Sequence, residues 1–209
     1  MRLTAEQARQ LGITCVEAGP APEPAAKPKR PRPQRQRPAR EPIGPRERVL
    51  VLDVSSVCTG WAVFTGPHPE RFGRVKQASK VLTERIGAMV DAIGAIARTE
   101  APHRIVLEWA SKGANVGRGG HGLTSLGQAQ GAVYQALRGL GVPLVAVEQW
   151  EWTDFVPKAT RAKLVRQLVP QYATVPDRGG DVGDALGLGL WLAGRWPKRE
   201  RTSRRRATR

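Results

Sequence analysis

A chain of 209 residues is long enough to bury one substantial core. Its 34 Lys and Arg against 18 Asp and Glu give a formal charge of +16, and no apolar run approaches the roughly 20 residues of a membrane helix. Two cysteines, Cys15 and Cys58, are too few and too far apart for a zinc ribbon or a disulfide scaffold. Met1-Arg2-Leu3 leads into polar sequence rather than a signal peptide, so the expectation is a soluble, cytoplasmic protein without a membrane partner.

The charge is uneven. Residues 27–48 carry nine basic side chains against two acidic, and residues 195–209 carry eight against one, so most of the excess lies in two flanking segments. Lys and Arg that neutralise phosphates release condensed counterions, which makes nucleic acid the natural polyanionic partner.

Thr4 opens a short helical pattern, with Gln7 at capping-box spacing and Gly12 as a stop. From Gly19 to Pro45 the chain is dense in Pro, Arg, Lys and Ala, with too few apolar groups to offset its ordering entropy, and is expected to be disordered. Residues 1–47 are thus a short helical element plus a disordered basic arm, residues 48–195 the folded domain, and residues 196–209 a basic tail.

Within the domain, Val49–Asp53, Gly60–Phe64 and Phe72–Lys76 read as three strands of an antiparallel meander. Residues 80–98 switch to helical spacing, with Leu82, Ile86, Met89, Val90, Ile93 and Ile96 near one face. Arg104–Glu108 reads as a buried strand and Gly113–Gly122 as a loop. A helix over Ser125–Leu140 has the stripe Leu126, Ala129, Val133, Ala136, Leu137 and Leu140. Pro143–Val147 is a further strand, Arg161–Leu168 a short helix, and a last helix runs from Gly180 or Asp181 to Trp191 or beyond. A meander followed by alternating helices and strands implies an α/β domain, a mixed five-stranded sheet flanked by helices, and this is the order of the ribonuclease H-like fold.

Four carboxylates stand where a structural role accounts for them poorly. Asp53 closes the apolar strand VLVLD and Glu108 closes RIVLE, and an unpaired carboxylate among apolar neighbours is costly. Asp53 alone could be a turn-forming residue beside Ser55 and Ser56. Asp181 and Asp184 form an i, i+3 pair that could complement a helix dipole, an account that leaves the two strand-end acids unexplained. Gathered without cations, such acids would repel; oxygen-only ligands suit Mg²⁺ or Mn²⁺, and two such ions can promote phosphodiester hydrolysis.

In series, VLVLDVSSVCTGWAVF, RIVLEWASKGANVGRGGHGLTSLGQAQGAVYQAL, PLVAVEQWEWTDFVPKATRAKLVRQLV and DVGDALGLGLWLA resemble the motifs of RuvC-type Holliday-junction resolvases over roughly residues 48–195. The resemblance implies that Asp53, Glu108, Asp181 and Asp184 are the catalytic, metal-binding acids. It implies two Mg²⁺ or Mn²⁺ ions per site and branched DNA as substrate: four-way junctions, with flaps or forks as extensions. It also implies that Trp109, Lys112 and Arg118 face the junction, that Arg161 or Lys163 supplies the basic residue of the fourth helix, and that the enzyme is a homodimer, with the 125–140 helix as a candidate interface or ordinary core.

The sequence departs from the housekeeping bacterial pattern in Asp53-Val54-Ser55, where Asp-Pro-Gly is usual, and in the glycine-rich 109–123 loop. These departures suggest a phage or mobile-element member acting in the host cytoplasm, or else a nucleoid-associated one. GANVGRGGHG lacks the Lys-Ser/Thr ending of a phosphate-binding P-loop. His121 reads as an exposed loop histidine before a proton shuttle, and Trp150 and Trp152 as packing residues before base-stacking ones. Two rivals remain: a noncatalytic nucleic-acid-binding protein of the same fold, and an actin-like ATPase, for which the domain is short and a later glycine-rich adenosine motif is missing.

Overall fold

The computed structural model describes residues 41–110 and 120–197, with the backbone alone for 120–123. The helix expected near Thr4, most of the proline-rich arm, Lys112 and Arg118 lie outside the described residues.

Three antiparallel strands open the domain, β1 (Arg48–Val54), β2 (Cys58–Thr65) and β3 (His68–Lys76). Helix α1 (Leu82–Glu100) leads to β4 (Arg104–Trp109), and α2 (Gly120–Arg138) leads to β5 (Leu144–Glu148). Then follow a short helix α3 (Gln149–Thr153), α4 (Lys158–Leu168), a 3₁₀ turn at Pro170–Thr174, and α5 (Asp181–Leu192). The sheet order is β3-β2-β1-β4-β5, with β4 and β5 parallel to β1. This is the mixed five-stranded sheet expected from the order of the elements.

The period-2 alternation of β1 and β4 sorts their side chains onto two faces. Leu50, Leu52, Ile105 and Leu107 pack with Met89, Ile93 and Ala97 of α1 and Ala129, Val133 and Leu137 of α2. Val49, Val51 and Val106 pack on the other face with Val182, Ala185, Leu186 and Leu190 of α5, Val165 of α4 and Trp152 of α3. Helix α5 can lie this close to β2 because Gly189 has no Cβ: one added there would stand 2.0 Å from the Phe64 ring.

The structure corrects several expectations. Helix α2 starts at Gly120, so the expected loop ends earlier than Gly122; packing of Ala129, Val133 and Leu137 outweighs the poor helix propensity of the glycines. Those three residues of its stripe are core, and Leu140 packs against them, while Leu126 is half-buried and Ala136 is exposed. Helix α4 begins three residues before Arg161, and α3 was not foreseen. Ile43 is buried and its N–H donates to the Leu192 carbonyl, while Glu47 pairs with Arg104. Trp196 meets Trp152 edge-on, so packing extends past residues 48 and 195 at both ends.

Candidate active site

Both strand-end acids lie on the α5 face. Asp53 follows Val49 and Val51 at spacing two, Glu108 follows Val106 in the same way, and the parallel register pairs Asp53 directly with Glu108. In-register residues of neighbouring strands point to the same side, so the two carboxylates share one crevice at the carboxyl ends of β1 and β4.

Helix α5 brings the other two acids to that crevice. Its first turn holds Asp181 and Asp184, and Asp53 is paired across β1 and β2 with Gly60. A Cβ on Gly60 would stand 2.1 Å from the Asp181 carbonyl oxygen, so the helix start is seated directly on the bare backbone beside Asp53.

The four acids are held differently. Glu108, 5% exposed, accepts hydrogen bonds from Gln149 Nε2 at 2.8 Å and from the Trp152 indole at 2.9 Å. Asp184, 3% exposed, is clamped by Arg161, whose Nε and Nη2 donate to its two oxygens at 2.9 and 3.0 Å. Lys158 Nζ reaches the same carboxylate at 3.0 Å and Asp181 at 3.8 Å. The Arg161 guanidinium also lies over the Trp152 ring, 5.2 Å from its centroid, and donates to the Val156 carbonyl. Among the described residues, no cation is paired with Asp53 in this way.

The electrostatics follow from that inventory. Burial, then the charges of Glu108, Asp184 and Asp181, push the Asp53 carboxyl well above the usual carboxylate range, against the pull of Lys158. Burial and Asp184 raise Glu108 to about 7 despite the Trp152 and Gln149 donors and the Arg161 charge. For Lys158, burial opposes the charge, but Asp184, Asp53 and Asp181 outweigh it and raise its pKa. Burial and a hydrogen bond to Asp181 push the Cys58 thiol up to about 12.

Of the basic residues considered, Arg161 is at the acids and Lys163, exposed on α4, is not. Trp109 follows Glu108 in the same strand and so faces the other side of the sheet, where it meets Tyr134 edge-on at 5.9 Å. Lys158, Gln149 and Trp152 at the acids were missed. The helical spacing held a signal for the first: Lys158, Arg161 and Val165 fall at i, i+3 and i+7, one face of α4, and Val165 is buried.

The donor set is all carboxylate oxygen, which suits a hard divalent cation, and the crowding at Asp53 is what such a cation would relieve. Among the described residues, no three Asp, Glu, His or Cys side chains stand in a metal-holding group. Asp184 is turned to Arg161 and Lys158, and Glu108 to Gln149 and Trp152, so each would exchange a partner on ligating a metal.

Neither protein-family models nor curated proteins give a match to this chain. Solved structures do. RuvC of Thermus thermophilus in complex with a Holliday junction substrate superposes with a TM-score of 0.58 at 21% identity, covering 71% of this chain and 95% of that one. The yeast mitochondrial Holliday junction resolvase Ydc2 gives 0.54 at 12% identity, covering 74% and 82%. The fold is that of the RuvC-type resolvases. A second RuvC structure from Thermus thermophilus, at 0.55 and 20% identity, agrees. The RuvC-type fold thus accounts for the mixed five-stranded sheet and the helices that flank it. No helix among the described residues is long and apolar enough to cross a membrane.

Proposed function

We propose that this chain is a metal-dependent endonuclease that hydrolyses phosphodiesters in branched DNA, resolving four-way junctions by paired nicks as a homodimer. One observation carries the reading: Asp53, Glu108, Asp181 and Asp184 gather at the carboxyl ends of two paired parallel strands, in a fold shared with proteins described as Holliday junction resolvases.

Mg²⁺ or Mn²⁺ would be held by these four acids, supplying neutralising charge and a polarised water. The chain's own residues do the rest. Gln149 and Trp152 fix the orientation of Glu108, and Arg161 holds both oxygens of the buried Asp184 side chain. Lys158, half-exposed, offers a positive charge to a phosphate entering beside the acids. Hydrolysis adds water across the P–O3′ bond and leaves 5′-phosphate and 3′-hydroxyl ends. The arms rich in Lys and Arg add sequence-independent attraction to the DNA backbone.

A second reading, a noncatalytic binder of nucleic acid, is favoured by the pairing of Asp184 with Arg161 and Lys158, which already supplies cations where a metal would act. One experiment separates the two: labelled four-way junction, flap and linear duplex are incubated with Mg²⁺ or Mn²⁺ and either wild type or Asp53→Asn. Symmetric, metal-dependent nicking of the junction, lost in the variant with junction binding retained, is the expected result. Binding without cutting by both proteins in both metals would establish the noncatalytic reading.

A further inference from the structure

The segment between α3 and α4 breaks a local rule without a packing reason. Val156 N–H donates to the Thr153 carbonyl at 2.9 Å, closing a four-residue turn whose two central residues, Asp154 and Phe155, have φ of +49° and +59°. Positive φ at both central positions is the pattern of a type I′ turn, which selects Gly, Asn or Asp. Asp154 meets that demand. Phe155 does not, because a bulky side chain in the left-handed region is strained.

Such strain is normally offset by burying the ring. Here the ring is left in water: Phe155 is 77% exposed, the most exposed of the large apolar residues described. A single exposed phenylalanine is ordinary, and so is a strained turn; strain and exposure at one residue mean that the fold holds an aromatic face outward with nothing gained for its own core.

Its place says what that face meets. Three residues before it, Trp152 donates to Glu108; three residues after it, Lys158 pairs with Asp184; and Arg161 donates to Val156, the next residue. Three residues of chain span at most about 10 Å, so the Phe155 backbone lies within that distance of both Trp152 and Lys158, whose side chains reach the acids.

We propose that Phe155 is a stacking platform for an unpaired nucleobase next to the phosphate bound at the four acids. The inference rests on the reading of those acids as a site for branched DNA. Branched DNA supplies bases without a stacking neighbour, and an aromatic face accepts any of them, since every base has a π-face. The turn fixes the backbone from which the ring projects, so on binding only the side-chain torsions remain to be ordered.

The test uses the full-length protein and a four-way junction in EDTA, where binding is read without cutting. Phe155→Asn suits the left-handed turn and removes the ring; its melting temperature is expected at or above wild type while junction affinity falls roughly 5- to 100-fold. Phe155→Trp keeps a ring and is expected to restore the affinity. A junction carrying 5-iodouracil within three nucleotides of the bound phosphate is expected to photo-cross-link to Phe155 in wild type. Wild-type affinity in Phe155→Asn, or failure of Phe155→Trp to restore it, overturns the stacking role while leaving the acid site standing. Wild type that binds no branched DNA overturns the reading of the site and the stacking role together.

Discussion

Replacing Arg161 by Met removes the cation that faces Asp184 while keeping an unbranched chain of similar reach. Arg161 is 7% exposed, and its guanidinium makes three hydrogen bonds, two to Asp184 and one to the Val156 carbonyl. Removing one member of a buried pair costs about 3–5 kcal/mol, because the other charge stays buried. Lys158 remains 3.0 Å from the same carboxylate, which places the expected loss at the lower end, about 3 kcal/mol. For a domain of this size that is a fall of roughly 6–12 °C in melting temperature. The assay is a thermal melt at pH 7 in EDTA on wild type, Arg161→Met, Asp184→Asn and the double variant. Since the two side chains touch, the double variant should be more stable than the sum of single losses, with a coupling of about 2 kcal/mol. Millimolar Mg²⁺ should stabilise Arg161→Met more than wild type, because its Asp184 has lost a competing cation. A fall under about 2 °C, or strict additivity in the double variant, would refute the account of Arg161 as the buried partner of Asp184.

Three further outcomes are expected. Asp53 and Glu108 have raised pKa values in the folded protein, so the fold binds more protons than the unfolded chain and stability falls as pH climbs from the ordinary carboxylate range. For Glu108 that fall is complete only once pH has risen through about 7; Asp53→Asn should raise the neutral-pH melting temperature in EDTA, with the gain vanishing near pH 4, and a gain independent of pH would contradict the repulsion. Gly60→Ala drives a Cβ into the Asp181 carbonyl, backbone against backbone, and should cost about 3 kcal/mol in urea denaturation while displacing the first turn of α5 and lowering cleavage; wild-type stability would show that α5 can shift freely. Deleting residues 1–40, which spares the packed Ile43 and Glu47, should weaken junction binding and flatten its dependence on salt, as measured by affinity at several NaCl concentrations.

Much of the fold was legible because its strands and long helices carry clean periods. VLVLD and RIVLE announce buried strands, and period two alone puts Asp53 and Glu108 on the face of Val51 and Val106. The same period sends Trp109 to the opposite side, a consequence available from the sequence once Glu108 is assigned to the crevice. Other features had no local signature. Helix α3 is five residues long, too short for a helical period, and its Gln149 and Trp152 reach Glu108 across more than forty residues of sequence. The glycine-rich start of α2 ran against propensity and is set by packing further along the helix. Lys158 was hidden by an α4 start placed too late, after which the phase that aligns it with Arg161 could not be seen.

The sheet separates two obligations. Every acid of the crevice, with Arg161, Lys158, Gln149 and Trp152, belongs to the side of α3, α4 and α5, while α1 and α2 cover the other side with a mostly aliphatic core. Substitutions among Met89, Ile93, Val133 and Leu137 are therefore answerable to packing alone, and lineages can exchange them for residues of like volume without retuning the chemistry. On the α5 side three positions lack that freedom, since Gly60, Gly187 and Gly189 admit the Asp181 backbone, Trp152 and Phe64 where any larger residue would collide. One surface of the same five strands is open to drift and the other is pinned at these glycines and at the acids, so sequence divergence among proteins of this shape should be lopsided across the sheet.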